Sequence, residues 1–513
     1  MNRMFSAGIF VFILMLVGKF SALGKDMAMS SIFGISWQAD AYFIANGAPI
    51  LVFSAFYASI PLVFLPLYNK VKTKEGSVSG FEFANNFINI FLFISFILSI
   101  VSILFAPNII DLISQNTSEK VRQLSIDLAR IFSLSFVFTM LVSVFTSMQY
   151  VNKSYLGTQL IPLINNSLVI LAIVFLSKNY GIEVVAYFAV AAWVIQVPLQ
   201  RYILSGGYNY NLYLNFKDKN VRYLFVVFVP AFFGVLIDQV NILVDLYLSS
   251  GLGEGAVASL NYASRLVLLV ALLFPVVVTT IMYPYYSDYS VQNKIRKLSI
   301  SLEKSIKIIF LLVVPVLVVS ILFRSQIISL LFERGEFDFY ATSLTSNIFL
   351  YYGLAIVFIG LREVFNKVLY AQQNTKTVLY ISSISVFINV LLSVVLVEYF
   401  GITGIALATS ISVLIHVIIQ VSILHIKLGS RFYRKLTKFF LDLIVGVVVM
   451  VSVVVWLQGL DVYRDILFIW VLTSSLSVVS YIITLYFLKQ REVLDVIVFV
   501  RSKLNYFKKS HSH

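Results

Sequence analysis

The segment Phe91-Leu92-Phe93-Ile94-Ser95-Phe96-Ile97-Leu98-Ser99-Ile100-Val101-Ser102-Ile103-Leu104 contains no charged side chain, and the uncharged run extends from Phe83 to Ile110. A helix on the surface of a soluble protein would carry a polar stripe along one face. Here only scattered serines and asparagines interrupt the apolar residues. A run of about 20 such residues matches the hydrocarbon thickness of a bilayer. The pattern recurs along the chain. Of its 513 residues, 60% are hydrophobic and 12% charged, and the mean hydropathy is +0.93. A soluble domain uses about a quarter charged residues to cover its surface. The chain therefore reads as an all-α integral membrane protein.

Taking each apolar run as a span predicts roughly fourteen transmembrane helices, at 4–22, 40–68, 82–106, 125–150, 157–178, 182–203, 221–248, 257–286, 300–323, 342–370, 378–398, 402–424, 436–458 and 463–488. The first run ends near Lys19 without a small-residue cleavage site, so it is expected to remain as a span. Lysine and arginine concentrate in alternate loops: Lys70, Lys72 and Lys74; Lys153; Arg201, Lys217, Lys219 and Arg222; Lys294, Arg296 and Lys297; Lys376; and Lys427, Arg431, Arg434, Lys435 and Lys438. The intervening loops are balanced or acidic, as at Glu254 or at Asp461, Arg464 and Asp465. This alternation predicts both termini in the cytoplasm. It also accounts for the net charge of +14 without nucleic acid as a partner. Loop 205–220, with Tyr208-Asn209-Tyr210-Asn211-Leu212-Tyr213, reads as an interfacial stretch.

Several chemistries are excluded. There is no cysteine, so no thiolate nucleophile or zinc–sulfur site exists. No Walker A motif is present. Gly251-Leu252-Gly253-Glu254-Gly255 reads as a turn between spans, and His416 as a hydrogen-bonded packing residue.

Charges inside spans are costly and mark cavities or partners. Lys19 and Asp26 lie seven residues apart, with Lys25 beside them, and Asp40 opens the second span. Asp238 and Asp245 share a face of the seventh, and Arg265 sits in the apolar eighth, where Asp245 is one candidate to neutralise it. Glu363 and Lys367 have the spacing of a helical ion pair and, with Arg362, read as an anchor near the interface. Guanidinium and ammonium groups in a membrane cavity suit an anionic substrate such as a phosphate or pyrophosphate.

Four stretches carry a family resemblance. They are Leu23-Gly24-Lys25-Asp26 with Ile32-Phe33-Gly34 and Asp40-Ala41-Tyr42-Phe43; Asp238 to Asp245 followed by Ser259-Leu260-Asn261-Tyr262-Ala263-Ser264-Arg265-Leu266; Leu331-Phe332-Glu333-Arg334-Gly335-Glu336-Phe337-Asp338; and Tyr370-Ala371-Gln372-Gln373-Asn374-Thr375-Lys376-Thr377. In combination they resemble the MurJ (MviN) lipid II flippases, of the multidrug/oligosaccharidyl-lipid/polysaccharide exporter superfamily. The resemblance implies two pseudo-symmetric six-helix lobes, 1–205 and 206–428, around a central cavity. Two appended helices would occupy 429–490 and a basic cytoplasmic tail 491–513. It implies an undecaprenyl-pyrophosphate-linked glycan carried across the bacterial inner membrane by alternating access, with membrane lipids, and cell-wall or polysaccharide synthesis proteins, as partners. Lys19, Lys25 and Arg265 match the family's basic residues, and Asp26 and Asp40 their acidic partners. No cofactor is expected. Coupling to Na⁺ or to the membrane potential is left open: Asp245, Asn389 and Thr409 match ion-coupling positions, with Ser393 in place of a second acid. The second helix departs from the family in having no charge over Phe53–Ile60. An exopolysaccharide, capsule or O-antigen precursor is thus the alternative cargo to lipid II. A drug/cation antiporter would need acidic cavity residues instead, and a glycosyltransferase a large outer loop.

Overall fold

The computed structural model describes residues 2–49, 53–204, 207–428, 436–459, 467–490 and 492–494. The expected charges at Arg431, Arg434, Lys435, Asp461, Arg464 and Asp465, the tail 491–513 except 492–494, and the side chain of Asp238 lie outside the described residues. Among those described there is no β-strand. The first helices are α1 (Asn2–Phe33), α2 (Trp37–Pro49), α3 (Ala55–Leu104), α4 (Ala106–Ile113), α5 (Glu119–Ser133), α6 (Phe136–Val151) and α7 (Leu156–Leu171). A π-helical turn then leads to α8 (Ser177–Tyr180), α9 (Glu183–Ile203), α10 (Lys219–Ser250), α11 (Ala256–Val291) and α12 (Ile295–Leu322). The remainder are α13 (Arg324–Phe332), α14 (Phe339–Gly353), α15 (Ile356–Ala371), α16 (Thr375–Phe400), α17 (Ile402–Leu428), α18 (Leu436–Gln458) and α19 (Leu467–Phe487).

Among the described residues, ten helices are long and apolar enough to cross a membrane, or twelve if α5 with α6 and α14 with α15, bent by 41° and 42°, each form one span. Fourteen exceeds that number because it also counted α1 and divided α3. The 50 residues of α3 would extend about 75 Å, more than twice a bilayer core. Gly76 leaves helical geometry there, with φ 94° and ψ 170°, a conformation that favours glycine. Boundaries also moved: α1 continues to Phe33 rather than ending at 22, and the expected span 40–68 is divided between α2 and the start of α3.

The helices group into two compact units by their contacts. One comprises the described residues of Met1–Arg265, Ile328–Ile348 and Asn389–Ile405. The other comprises those of Leu266–Ile327, Phe349–Ile388 and Ala406–His513. Within the first, α3 packs on α6 and α10, α1 on α7, and α2 on α5. Phe56, Phe64, Phe87, Phe91, Phe136 and Phe228 form its aromatic core.

The segment linking α9 to α10 is irregular, and its polar backbone must be satisfied. Three asparagines of α3 do this. Asn85 Nδ2 donates to Asn209 O at 3.1 Å, Asn86 Nδ2 to Asn215 O at 2.9 Å, and Asn89 Nδ2 to Asn211 O and Tyr213 O at 3.2 and 3.0 Å. Tyr208 of this strap is buried while Leu212 remains exposed.

Within the second unit, α12 packs on α15, α18 and α19. Lys307 Nζ lies 2.9 Å from Glu303 and 3.1 Å from Glu492.

Candidate functional site

α1 stops at Gly34, whose φ of 55° suits a helix C-terminus in the left-handed region. A side chain there would also meet the Glu336 carbonyl oxygen at 2.3 Å. The stop places Lys25 and Asp26 in the last turns of α1. Lys25 Nζ lies 3.6 Å from Asp26 Oδ1, and Arg265 Nε of α11 lies 3.8 Å from Asp26 Oδ2. Asp26 is buried, with its side chain 4% exposed, whereas that of Arg265 is 38% exposed. Both separations exceed the 2.7–3.2 Å of a good N–H···O bond. Asp26 Oδ1 and Arg265 Nε have no hydrogen-bond partner among the described residues. Two cations thus share one carboxylate and retain one positive charge and free donors. A phosphate oxygen accepts such donors in charge-assisted bonds.

Asp40 does something different. Its Oδ2 and Oδ1 accept from the backbone N–H groups of Gly255 at 2.6 Å and Ala258 at 2.8 Å, so it caps the N-terminus of α11. In return Glu254 Oε1 accepts from the N–H of Trp37 at 2.9 Å, at the start of α2. The two helices cap each other, and Asp40 thereby positions the helix that carries Arg265. The glycine-rich stretch is indeed a turn, but the sequence reading missed Glu254 within it. No local signal marked it, because the N–H it accepts from lies 217 residues away in the sequence.

The third motif joins the same region. Glu336 N–H donates to Ser31 O at 3.0 Å, and Tyr262 packs its ring 5.3 Å from Phe332 and 5.8 Å from Phe337. Three of the four motif stretches therefore meet in the first unit. The fourth lies in the other unit, where Asn374 Oδ1 accepts from Thr377 at 2.7 Å, beside the start of α16.

Some expected relations are not formed. Asp245 does not neutralise Arg265, whose ion partner is Asp26; Asp245 Oδ1 is buried with no hydrogen-bond partner among the described residues. Lys19 is half-buried and makes no ion pair with a described residue. Glu363 approaches Arg362 at 3.9 Å rather than Lys367, which lies 5.6 Å from the Tyr283 ring centre. The Tyr283 ring face offers the Lys367 ammonium a cation–π contact instead. His416 is buried, yet its Nε2 finds no hydrogen-bond partner among the described residues. Ser393 Oγ donates to Asn389 Oδ1 at 3.5 Å in α16, while Thr409 belongs to the second unit.

Lys25 also lines a cavity of about 320 Å³ in the first unit, together with Tyr42, Ser54, Tyr57, Asn165, Asn166 and Trp193 among others. This is within the roughly 300–1,000 Å³ of small-ligand sites.

Comparison with known proteins agrees with this architecture. A Burkholderia cenocepacia protein named lipid II flippase MurJ is 24% identical over 407 residues, covering 77% of this chain and 79% of its own. A solved structure described as lipid II flippase MurJ in an inward closed conformation superposes with a TM-score of 0.80 at 26% identity, covering 93% of this chain and 98% of that one. A multidrug resistance MATE family transporter of the MOP superfamily, in an inward-facing conformation, shares the fold with a TM-score of 0.63 at 15% identity, covering 80% of this chain and 98% of that one. The family model described as lipid II flippase MurJ matches residues 29–461, well over half of the sequence, and the chain therefore belongs to the MurJ family.

Proposed function

We propose that this chain is a lipid II flippase, moving an undecaprenyl-pyrophosphate-linked glycan from the cytoplasmic to the outer leaflet of a bacterial inner membrane by alternating access. The observation that carries the reading is the loose trio in which Lys25 and Arg265 share Asp26 beside a cavity. Such a pair of cations holds a pyrophosphate and can exchange it for the carboxylate, without the tight pairing that would block release. The mutual capping of α2 and α11 by Glu254 and Asp40 supplies a contact that opening on that side would have to break.

The lobes 1–205 and 206–428, the appended helices, and both termini in the cytoplasm belong to the proposal. So does coupling to Na⁺ or the membrane potential. Of the four residues matched to ion-coupling positions, Asp245, Asn389 and Ser393 lie in the first unit and carry the hard oxygen donors that a small cation takes, and the unpartnered oxygen of Asp245 fits a need for one. Lipid II is preferred over an exopolysaccharide or O-antigen precursor because the family and its named relatives are lipid II flippases.

Proteoliposomes containing the full chain and labelled lipid II test the reading. Time-dependent protection of the label in the wild type, lost in Arg265→Ala at equal insertion, is expected. No translocation by the wild type, or full translocation by the variant, would overturn it.

A further inference from the structure

The cavity wall contains more than a pyrophosphate needs. Apart from Lys25, its polar groups are neutral: Asn46, Ser54, Ser135, Thr139, Asn165 and Asn166. Its aromatic rings include Tyr57 and Trp193, packed edge to face with centroids 5.9 Å apart. Two of these polar groups have fixed orientations. Asn165 Oδ1 accepts from Gln196 at 2.6 Å, and Asn166 Nδ2 donates to Ser21 Oγ at 3.0 Å. Each asparagine is thus held by one end of its amide. The hydroxyl of Ser54 is buried with no hydrogen-bond partner among the described residues. Tyr57 and Ser54 belong to the uncharged stretch Phe53–Ile60, so this wall is aromatic and hydroxyl-bearing rather than charged.

Neutral amides and hydroxyls beside flat rings match the surface of a pyranose. Its hydroxyls exchange hydrogen bonds with amides, and its C–H face lies against the electron-rich face of an aromatic ring. An anionic group would be poorly served by the same wall, which adds no cation beyond Lys25.

We infer that Trp193, Tyr57 and Asn165 form a saccharide subsite that reads the sugar next to the pyrophosphate, separating glycan recognition from the charge recognition of Lys25 and Arg265. The inference rests on the flippase reading and assigns the two halves of the headgroup to different residues. The free amide hydrogens of Asn165 donate to a sugar hydroxyl, and the Trp193 indole stacks on the ring.

The test measures binding of two ligands to the full chain in nanodiscs: polyprenyl pyrophosphate alone, and the same lipid carrying its glycan. The wild type should bind the glycan-bearing lipid about five- to tenfold more tightly, the increment of one stacked ring with its hydrogen bonds. Trp193→Ala should collapse that ratio towards one, and Trp193→Phe should largely restore it. Asn165→Ala serves as an independent second variant and should also lower the ratio. Lys25→Ala should weaken both ligands together and preserve the ratio. Equal affinity of the wild type for the two lipids, or an unchanged ratio in both alanine variants, would overturn the subsite while leaving the flippase reading intact. Failure of the wild type to bind either lipid would overturn both.

Discussion

Two ion trios in this molecule have opposite composition. In the first unit, Lys25 and Arg265 share Asp26 at 3.6 and 3.8 Å. In the second, Glu303 and Glu492 clamp Lys307 at 2.9 and 3.1 Å, with side chains only 12–13% exposed. Phe439 places its ring 5.8 Å from the same ammonium. Short bonds with every partner occupied describe a structural joint, here fixing the segment after α19 against α12. Long separations with unused donors are what the proposed substrate site requires. The comparison teaches that charge in a membrane protein must be judged by whether its hydrogen-bonding capacity is filled, not by its presence alone.

Mutations can break this contrast. Arg265→Ala should reduce translocation by about 100-fold or more in proteoliposomes, the scale of losing a positioned charge contact, while the melting temperature in detergent changes little. Arg265→Lys should recover only part, because an ammonium lacks the planar fork. Lys307→Ala should do the reverse. It leaves two nearly buried carboxylates facing each other and should destabilise the fold by about 3–5 kcal/mol, with transport per folded molecule retained. Comparable transport defects in the two variants would erase the distinction.

A smaller effect is expected at the mutual caps. Asp40→Ala removes the acceptor for Gly255 and Ala258 and should lower thermal stability by about 0.5–2 kcal/mol. The smallest belongs to the surface pair of Asp111 and Arg122, joined at 2.7 and 3.0 Å. Hydrogen bonding to Arg122 holds the Asp111 carboxyl below its usual range. Its folded value is depressed, so any stabilisation is present above the unfolded value of about 3.9 and fades as pH falls through the lowered one. The pair is exposed, so its contribution is small even where it is fully present, and Arg122→Ala should leave melting at pH 7 within experimental scatter.

Much of this was legible in the sequence, for reasons that are local. Apolar runs such as 83–106 reveal spans because a bilayer imposes one length and excludes charge. Lys25 and Arg265 stood out by the same logic, as cations where cations are costly. Asp40 was visible as an exception but its role was not, since capping depends on a helix more than 200 residues later, which the Gly255 N–H contact fixes in space. Glu303 and Lys307 were passed over although both fall in the run 300–323, because an i,i+4 pair looks ordinary until Glu492 joins it. The neutral cavity wall was invisible for a different reason. Asn165 and Trp193 are unremarkable in any span, and only packing brings them onto one surface.

The central claim is that the loosely paired cations bind the pyrophosphate. Its most direct test is the affinity of polyprenyl pyrophosphate for the full chain in nanodiscs, compared among the wild type, Arg265→Ala and Lys307→Ala. A loss of about tenfold or more in Arg265→Ala, as expected for a charge-assisted contact, with Lys307→Ala matching the wild type, is the predicted result. Equal affinity in the wild type and Arg265→Ala would contradict the account.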